Sequence, residues 1–186
     1  VLSLLSSEAD KGDLSTLADF IDEEVVEGGD GEGDGEEDEE DGESGETCLT
    51  VALANGHLEV AGILVQKGGA DINKARASDG DTPLIAASED GPLNSVKFLV
   101  DRGADLNKGR VSDGFTLLCI SSQNEKQEAV KVLLANGANV SQPANDGSTP
   151  LYVSCMQQHQ EAVKLLLANG ANVDQAADNG NTPLAV

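Results

Sequence analysis

A short motif recurs along this chain at nearly constant spacing. A glycine followed two residues later by Thr recurs at steps of 35, 34, 33 and 33 residues, at Gly45, Gly80, Gly114, Gly147 and Gly180. A Gly-Ala-Asp/Asn triplet recurs with nearly the same period. Residues 147–172 give the clearest copy of the whole unit. Two markers that share one period indicate tandem structural repeats.

The local signals within a unit predict a tight turn followed by two helices. An Asp/Asn-Gly dipeptide, as in Asp79-Gly80, favours the positive φ of a hairpin turn. Thr and Pro follow, as in Thr149-Pro150, and suit the N-cap and the first position of a short helix. A second helix, with apolar residues at helical spacing, ends at the triplet glycine. The break between the two helices is expected near Gly56, Gly91, Glu125 and Gln158.

These motifs resemble the ankyrin repeat. Gly-x-Thr-Pro-Leu-x-x-Ala stands at 80–87, Gly-His-x-Glu-Val at 56–60 and Gly-Ala-Asp-x-Asn at 69–73, and the period matches. The resemblance covers 45–186 well and 1–26 weakly. A single unit cannot bury its apolar residues, so we predict an all-α repeat fold, an ankyrin-type solenoid of stacked helix pairs with projecting β-hairpin loops. The sequence departs from the family pattern after Thr-Pro-Leu, where no unit has the usual His and one has Tyr152.

The resemblance also implies a function. In the family, the hairpin tips and first helices line a concave groove that binds proteins, which implies a non-catalytic protein-protein interaction module, a scaffold or adaptor. An alternative is a regulatory or targeting domain of a larger enzyme whose catalytic part lies outside this fragment. Asparaginyl hydroxylation in the family falls on the final hairpin Asn, a place held here by Asn73 and Asn107. Carried onto this sequence, the partner-binding candidates are Ser78, Asp79, Asp81, Glu89, Asp90, Ser112, Asp113, Phe115, Gln123, Asn124, Asn145, Asp146, Ser148, Met156 and Gln157.

The chain divides into three parts. Residues 1–26 are read as a degenerate N-terminal capping repeat, and residues 45–186 as four full units and the start of a fifth. Between them, residues 27–46 contain only Gly, Ser and twelve acidic residues, about half of the acidity behind a formal charge of −23. Such a composition cannot bury enough surface to offset chain entropy, so we predict an acidic Gly-rich disordered insertion at 27–44.

Composition excludes several functions. The negative charge is a poor match for a nucleic-acid backbone, and no apolar run approaches the about 18–20 residues of a membrane span. The three cysteines lack CxxC spacing, which argues against a disulfide framework or a zinc site. No glycine-rich loop suited to phosphate is present. We therefore expect an intracellular protein, cytoplasmic or nuclear, with a protein partner and no cofactor, metal or small-molecule substrate.

Two constellations have a chemical and a structural interpretation. Cys155 and His159 are four residues apart, as a nucleophile and its base could be, but the repeat register assigns them to a core slot and to the break between helices. The acidic run from Asp30 to Asp41 approximates a calcium loop but has Glu37 at the usual apolar place and Asp41 where a bidentate Glu is expected. We favour a structural role for the first and a solvated loop for the second.

Two departures from the repeat pattern are candidates for specificity. A basic hairpin stripe, Lys74, Arg76, Lys108 and Arg110, is either solvated surface charge or a stripe over which the acidic insertion lies. Phe115 occupies a hairpin slot where other units have small, polar or acidic residues. It is either an exposed anchor for a partner, together with Gln123 and Met156, or a side chain that folds back onto its own hairpin.

Overall fold

A computed structural model describes residues 47–76, 79–89 and 91–186. The predicted capping repeat, the acidic insertion with its calcium-like run, and the candidate residues Ser78 and Asp90 lie outside these ranges. The described ranges contain helices and no strands, so the predicted all-α repeat solenoid is confirmed. The helices are α1 Cys48–Ala54, α2 Leu58–Gln66, α3 Pro83–Glu89, α4 Leu93–Asp101, α5 Leu117–Gln123, α6 Gln127–Ala135, α7 Pro150–Met156 and α8 Gln160–Ala168.

The helix boundaries follow from the residues predicted to set them. The Thr149 side chain caps α7 by accepting a hydrogen bond from the Tyr152 amide at 3.2 Å, and Pro150 is the first helical residue. The glycines after the second helices take the left-handed conformation, for example Gly170 with φ 84°. Glu125 and Gln158 also have positive φ, 56° and 59°, at the predicted breaks between helices. Sequence therefore locates both ends of most helices.

Stacking buries the first helices more completely than the second. Each first helix contacts the first helix of the next unit, and α4, α6 and α8 are stacked in the same way. In α3 every residue from Pro83 to Ser88 is buried, whereas α6 buries Ala129, Val130 and Leu133 on one side only. Burying apolar surface stabilises by about 25 cal/mol per Å². The core of the solenoid therefore lies between the two rows of helices, and the second helices contribute one side to it, for example Leu99 and Leu133.

Carbonyl groups in the last turn of the first helices accept hydrogen bonds from side chains of the next unit. The Ser95 hydroxyl donates to the Leu53 carbonyl oxygen at 2.6 Å, and the Lys126 ammonium donates to the Ser88 carbonyl. His159 Nδ1 lies 3.0 Å from the Ser122 carbonyl oxygen and must donate, since a carbonyl only accepts. Three different side chains thus link the end of a first helix to the next unit, at the helix terminus where carbonyl groups need donors from outside the helix.

The hairpin loops project from the helices and come in two lengths. In the shorter type the Ala144 amide donates to the Ser148 carbonyl at 2.9 Å and closes a five-residue loop. In the longer type Arg110 donates to the Phe115 carbonyl at 3.0 Å and closes a six-residue loop. This difference accounts for the change in repeat spacing from 34 to 33 residues.

Two buried hydroxyls of the described residues, those of Ser121 and Ser122, have no hydrogen-bond partner, and the first leads to a stability prediction. Ser121 Oγ is fully buried in the described structure without a partner, while Ala52 and Ala87 occupy the same slot in earlier units. Ser121→Ala should raise the free energy of unfolding by about 1 kcal/mol, because it removes an unsatisfied polar group. The matched control is Ser154→Ala, since Ser154 donates to the Pro150 carbonyl at 2.8 Å. Urea denaturation in which both changes had equal effects would contradict the prediction.

Candidate functional site

A groove lies between the end of α5, the exposed side of α7 and the last two hairpins. Its volume is about 440 Å³. Residues of the hairpins and of the first helices line it, and these elements form the surface where the resemblance implies partner binding. The lining residues are Gln123, Asp146, Ser148, Tyr152, Val153, Met156, Gln157, Ala177, Asp178 and Asn179.

Short-range hydrogen bonds hold the hairpins that form one wall of the groove. Asp146 Oδ1 accepts from the Ser148 amide and Oδ2 from the Ser148 hydroxyl, both at 2.9 Å. The next hairpin repeats the first of these bonds, with Asn179 Oδ1 accepting from the Asn181 amide at 2.9 Å. Because side chains with this geometry fix the turn locally, the hairpin positions do not depend on a partner.

Contacts between repeats join the two hairpins to each other and to α7. The Asp178 amide donates to the Asp146 carbonyl at 2.9 Å. Asn179 Nδ2 donates to the Tyr152 hydroxyl at 3.0 Å, and this tyrosine stands where the family has His. The groove is therefore a fixed feature of the stack.

Five of the predicted partner-binding residues meet in this groove: Gln123, Asp146, Ser148, Met156 and Gln157. Met156 is 52% exposed, which is high for an apolar side chain. Ser148 contributes to the lining, but only 4% of it is exposed because Asp146 holds its hydroxyl and its amide. Of the remaining candidates, Ser112, Asn124 and Asn145 are exposed and lie outside the lining.

The part of the groove formed by the last hairpin was not predicted from the sequence. Asp178 and Asn179 line the groove but belong to the last hairpin, for which we made no site prediction. Asp178-Asn179 stands before Gly180 as Asn145-Asp146 stands before Gly147. This match in repeat position was the sequence signal that could have identified them.

Phe115 differs from both predictions made for it. Its side chain is half-buried and packs against the cluster of Tyr152, Val153 and Ala177. It lies neither exposed at the hairpin tip nor on its own hairpin alone, because the neighbouring unit supplies an apolar surface. Phe115 therefore supports α7 from the side of the preceding repeat, while Gln123 and Met156 reach the groove.

The two longer hairpins carry a cluster of ion pairs around Asp81. Only 3% of Asp81 is exposed, and its carboxylate lies 3.0 Å from Arg110 Nε and 3.5 Å from an Arg76 terminal nitrogen. Burial raises the pKa of Asp81 above its ordinary value, although both arginines act in the opposite direction. This burial differs from the prediction that places Asp81 on the partner-facing surface. The reason is the arginine of the next hairpin, 29 residues away.

Other candidates belong to the same cluster. Arg76 pairs with Asp79 at 2.8 Å, and Arg110 pairs with Glu89 and, at 3.8 Å, with Asp113. The basic hairpin stripe is thus only partly free, since both of its arginines are engaged by hairpin and helix carboxylates. Of its lysines, Lys108 donates to the Asn73 carbonyl at 2.9 Å, and Lys74 is exposed. An acidic segment lying over this stripe would compete with these internal pairs.

Asn73 and Asn107 have a structural role at the ends of their repeats. Asn73 Oδ1 accepts from the Asp105 amide at 2.8 Å, and Asn107 Oδ1 accepts from the Asn139 amide at 2.7 Å. Each asparagine therefore links its repeat to the next. Their hydroxylation stays a prediction.

The surroundings of Cys155 and His159 do not favour a nucleophile and base pair. Burial raises the pKa of Cys155, whereas an activated thiol needs a lowered pKa. The Nδ1 atom of His159 is bonded to the Ser122 carbonyl of the preceding repeat. Cys119 is fully buried, and burial raises its pKa to about 11. Within the described ranges, no group of three or more His, Cys, Asp or Glu side chains is placed to hold a metal ion.

Comparison with known proteins agrees with this geometry. A family model described as ankyrin repeats, in three copies, matches residues 9–110 and 118–186, and no curated protein matches the chain. None of the helices in the part of the chain that the structure describes has the length and apolar character needed to cross a membrane. Ankyrin repeats are generally protein-protein interaction modules and are typically not catalytic. With its repeat period, its stacked helix pairs and a match over most of its length, this chain belongs to the ankyrin repeat family.

Proposed function

We propose that this chain is a non-catalytic scaffold or adaptor that binds a protein partner through its concave hairpin and first-helix surface. The observation that carries the proposal is the groove beside α7, a fixed depression with an exposed apolar side chain, Met156, among polar side chains. Protein interfaces combine such an apolar centre with a polar rim. The row of first helices and hairpins can extend this contact toward the about 800 Å² per partner of a standard interface.

The residues around the groove are suited to recognition. Gln123 and Gln157 carry amides that both donate and accept hydrogen bonds, and such groups can pair with the backbone of a bound segment. The stacked core beneath them keeps the surface in place, which lowers the entropy lost on binding. The contribution of this chain is thus the positioning of a partner.

Met156→Arg should abolish partner binding, because it places a long cation in the groove. Affinity capture from a cell extract, with partners identified by mass spectrometry, gives the measurement. We expect proteins captured by the wild type to be reduced at least about tenfold, as for loss of a central interface residue. Capture with residues 27–46 deleted, run in parallel, reports whether the acidic insertion modulates the same partners.

The control is Leu167→Arg on α8. Leu167 is 45% exposed and lies outside the groove, so the change adds the same cation to a comparably exposed apolar site. Binding lost equally in both variants would argue against the groove. Binding kept in Met156→Arg but lost in Leu167→Arg would move the partner surface to the second helices.

A further inference from the structure

The longer and the shorter hairpins differ in whether they contain an arginine that can pair with their carboxylates. In the longer hairpins the residue whose amide closes the loop is arginine, Arg76 or Arg110. In the shorter hairpins the same place is held by alanine, Ala144 or Ala177, and both are buried. The longer hairpins therefore supply their own cations to the hairpin carboxylates, and the shorter hairpins do not.

This difference leaves the groove with uncompensated negative charge. Asp146 and Asp178 both line it, and no lysine or arginine of the described residues forms an ion pair with either. The Asp178 amide donates to the Asp146 carbonyl oxygen at 2.9 Å, so the two acidic residues lie side by side on adjacent hairpins. The lining contains no basic side chain.

We propose that the groove receives a partner segment in which a lysine or arginine stands next to an apolar side chain. The cation would lie beside Asp146 and Asp178, much as Arg110 lies beside Asp81 and Asp113 in the earlier hairpins. The apolar side chain would cover Met156, which is 52% exposed. Complementary charges across an interface add orientation and specificity to the apolar contact. This inference rests on the proposed function and names the chemistry of the partner.

A random-peptide phage library selected against the complete chain tests this proposal. We expect the recovered peptides to be enriched in Lys or Arg adjacent to Leu, Ile, Met, Val or Phe. The strongest peptide, made with a fluorescent label, is then titrated with the wild type and with the double variant Asp146→Asn, Asp178→Asn. Asparagine keeps the turn, since Asn179 makes the equivalent bond through its amide oxygen. The double variant should bind at least about tenfold more weakly.

Charge and salt provide the controls. Asp174→Asn removes a carboxylate from an exposed loop residue outside the lining and should leave affinity within twofold. Raising the salt from about 0.1 M to about 1 M shortens the screening length from about 10 Å to about 3 Å. It should therefore weaken the wild type more than the double variant.

Three outcomes would overturn the proposal. Peptides that bind the groove without basic residues, and that lose affinity in Met156→Arg but not in the double variant, would refute the basic partner and keep the proposed function. Peptides insensitive to all of these changes would refute both. A concentration-dependent dimer in sedimentation analysis that blocks peptide binding and is lost in the double variant would assign the groove to a second copy of this chain.

Discussion

Gly147→Ala will lower the free energy of unfolding by about 3 kcal/mol. Gly147 has φ 75°, a conformation that costs a residue with a Cβ about 1–2 kcal/mol. A Cβ here would also lie 2.9 Å from the Asp178 amide nitrogen and 3.1 Å from Ala177 Cα, and backbone atoms of a stacked hairpin cannot move aside cheaply. Urea denaturation followed by circular dichroism measures the loss.

Gly180→Ala separates the two causes. Gly180 has a similar φ, 81°, but no atom of the described structure lies within 4 Å of the Cβ it would gain. It should cost only about 1 kcal/mol, the strain of the left-handed conformation alone. Equal losses for the two glycines would mean that adjacent hairpins are not packed as closely as the Asp146–Asp178 contact requires.

Arg110→Ala should destabilise by about 2 kcal/mol. It leaves the buried Asp81 carboxylate with only the more distant Arg76, and Glu89 without its partner. Breaking one side of a buried ion pair costs about 3–5 kcal/mol, and the value is smaller here because Arg110 is 25% exposed and Arg76 remains. Thermal unfolding of the variant and the wild type at neutral pH gives the comparison.

A second substitution tests whether charge is the cause. Asp81→Asn in the Arg110→Ala background removes the buried carboxylate that has lost its closer arginine and should recover about 1 kcal/mol. Lys131→Ala, which breaks the exposed pair with Glu128 at 2.7 Å, should leave stability unchanged within the error of the measurement. If Arg110→Ala were as mild as Lys131→Ala, the Asp81 cluster would have no more weight than a surface ion pair.

Sequence predicts the parts of this structure that depend on near neighbours in the chain. The Thr149 cap, the glycine at the end of α8 and the break at Gln158 are all local, since each involves residues within one or two turns. The fold then follows from periodicity, because units that repeat at a fixed step must stack to bury their apolar faces.

The site is less predictable because the adjacent repeat determines which of its side chains are buried and which are exposed. Asp81 is covered by an arginine from the next hairpin, and Phe115 packs against the cluster of Tyr152, Val153 and Ala177 from later units. The later hairpins are only one residue shorter, but they also have an alanine at the position where the longer hairpins have an arginine. The exposure of a side chain thus depends on two successive repeats and cannot be predicted from the sequence of one repeat alone.

The central claim, that the concave surface binds a protein partner, is tested most directly by hydrogen exchange on the captured complex. The amides of 144–148, 150–157 and 177–181 should exchange more slowly in the complex than in the free chain, because the partner covers α7 and the hairpins that flank it. Slowed exchange confined to α6, α8 and the loop at 169–174, with no change in α7 or these hairpins, would contradict the account.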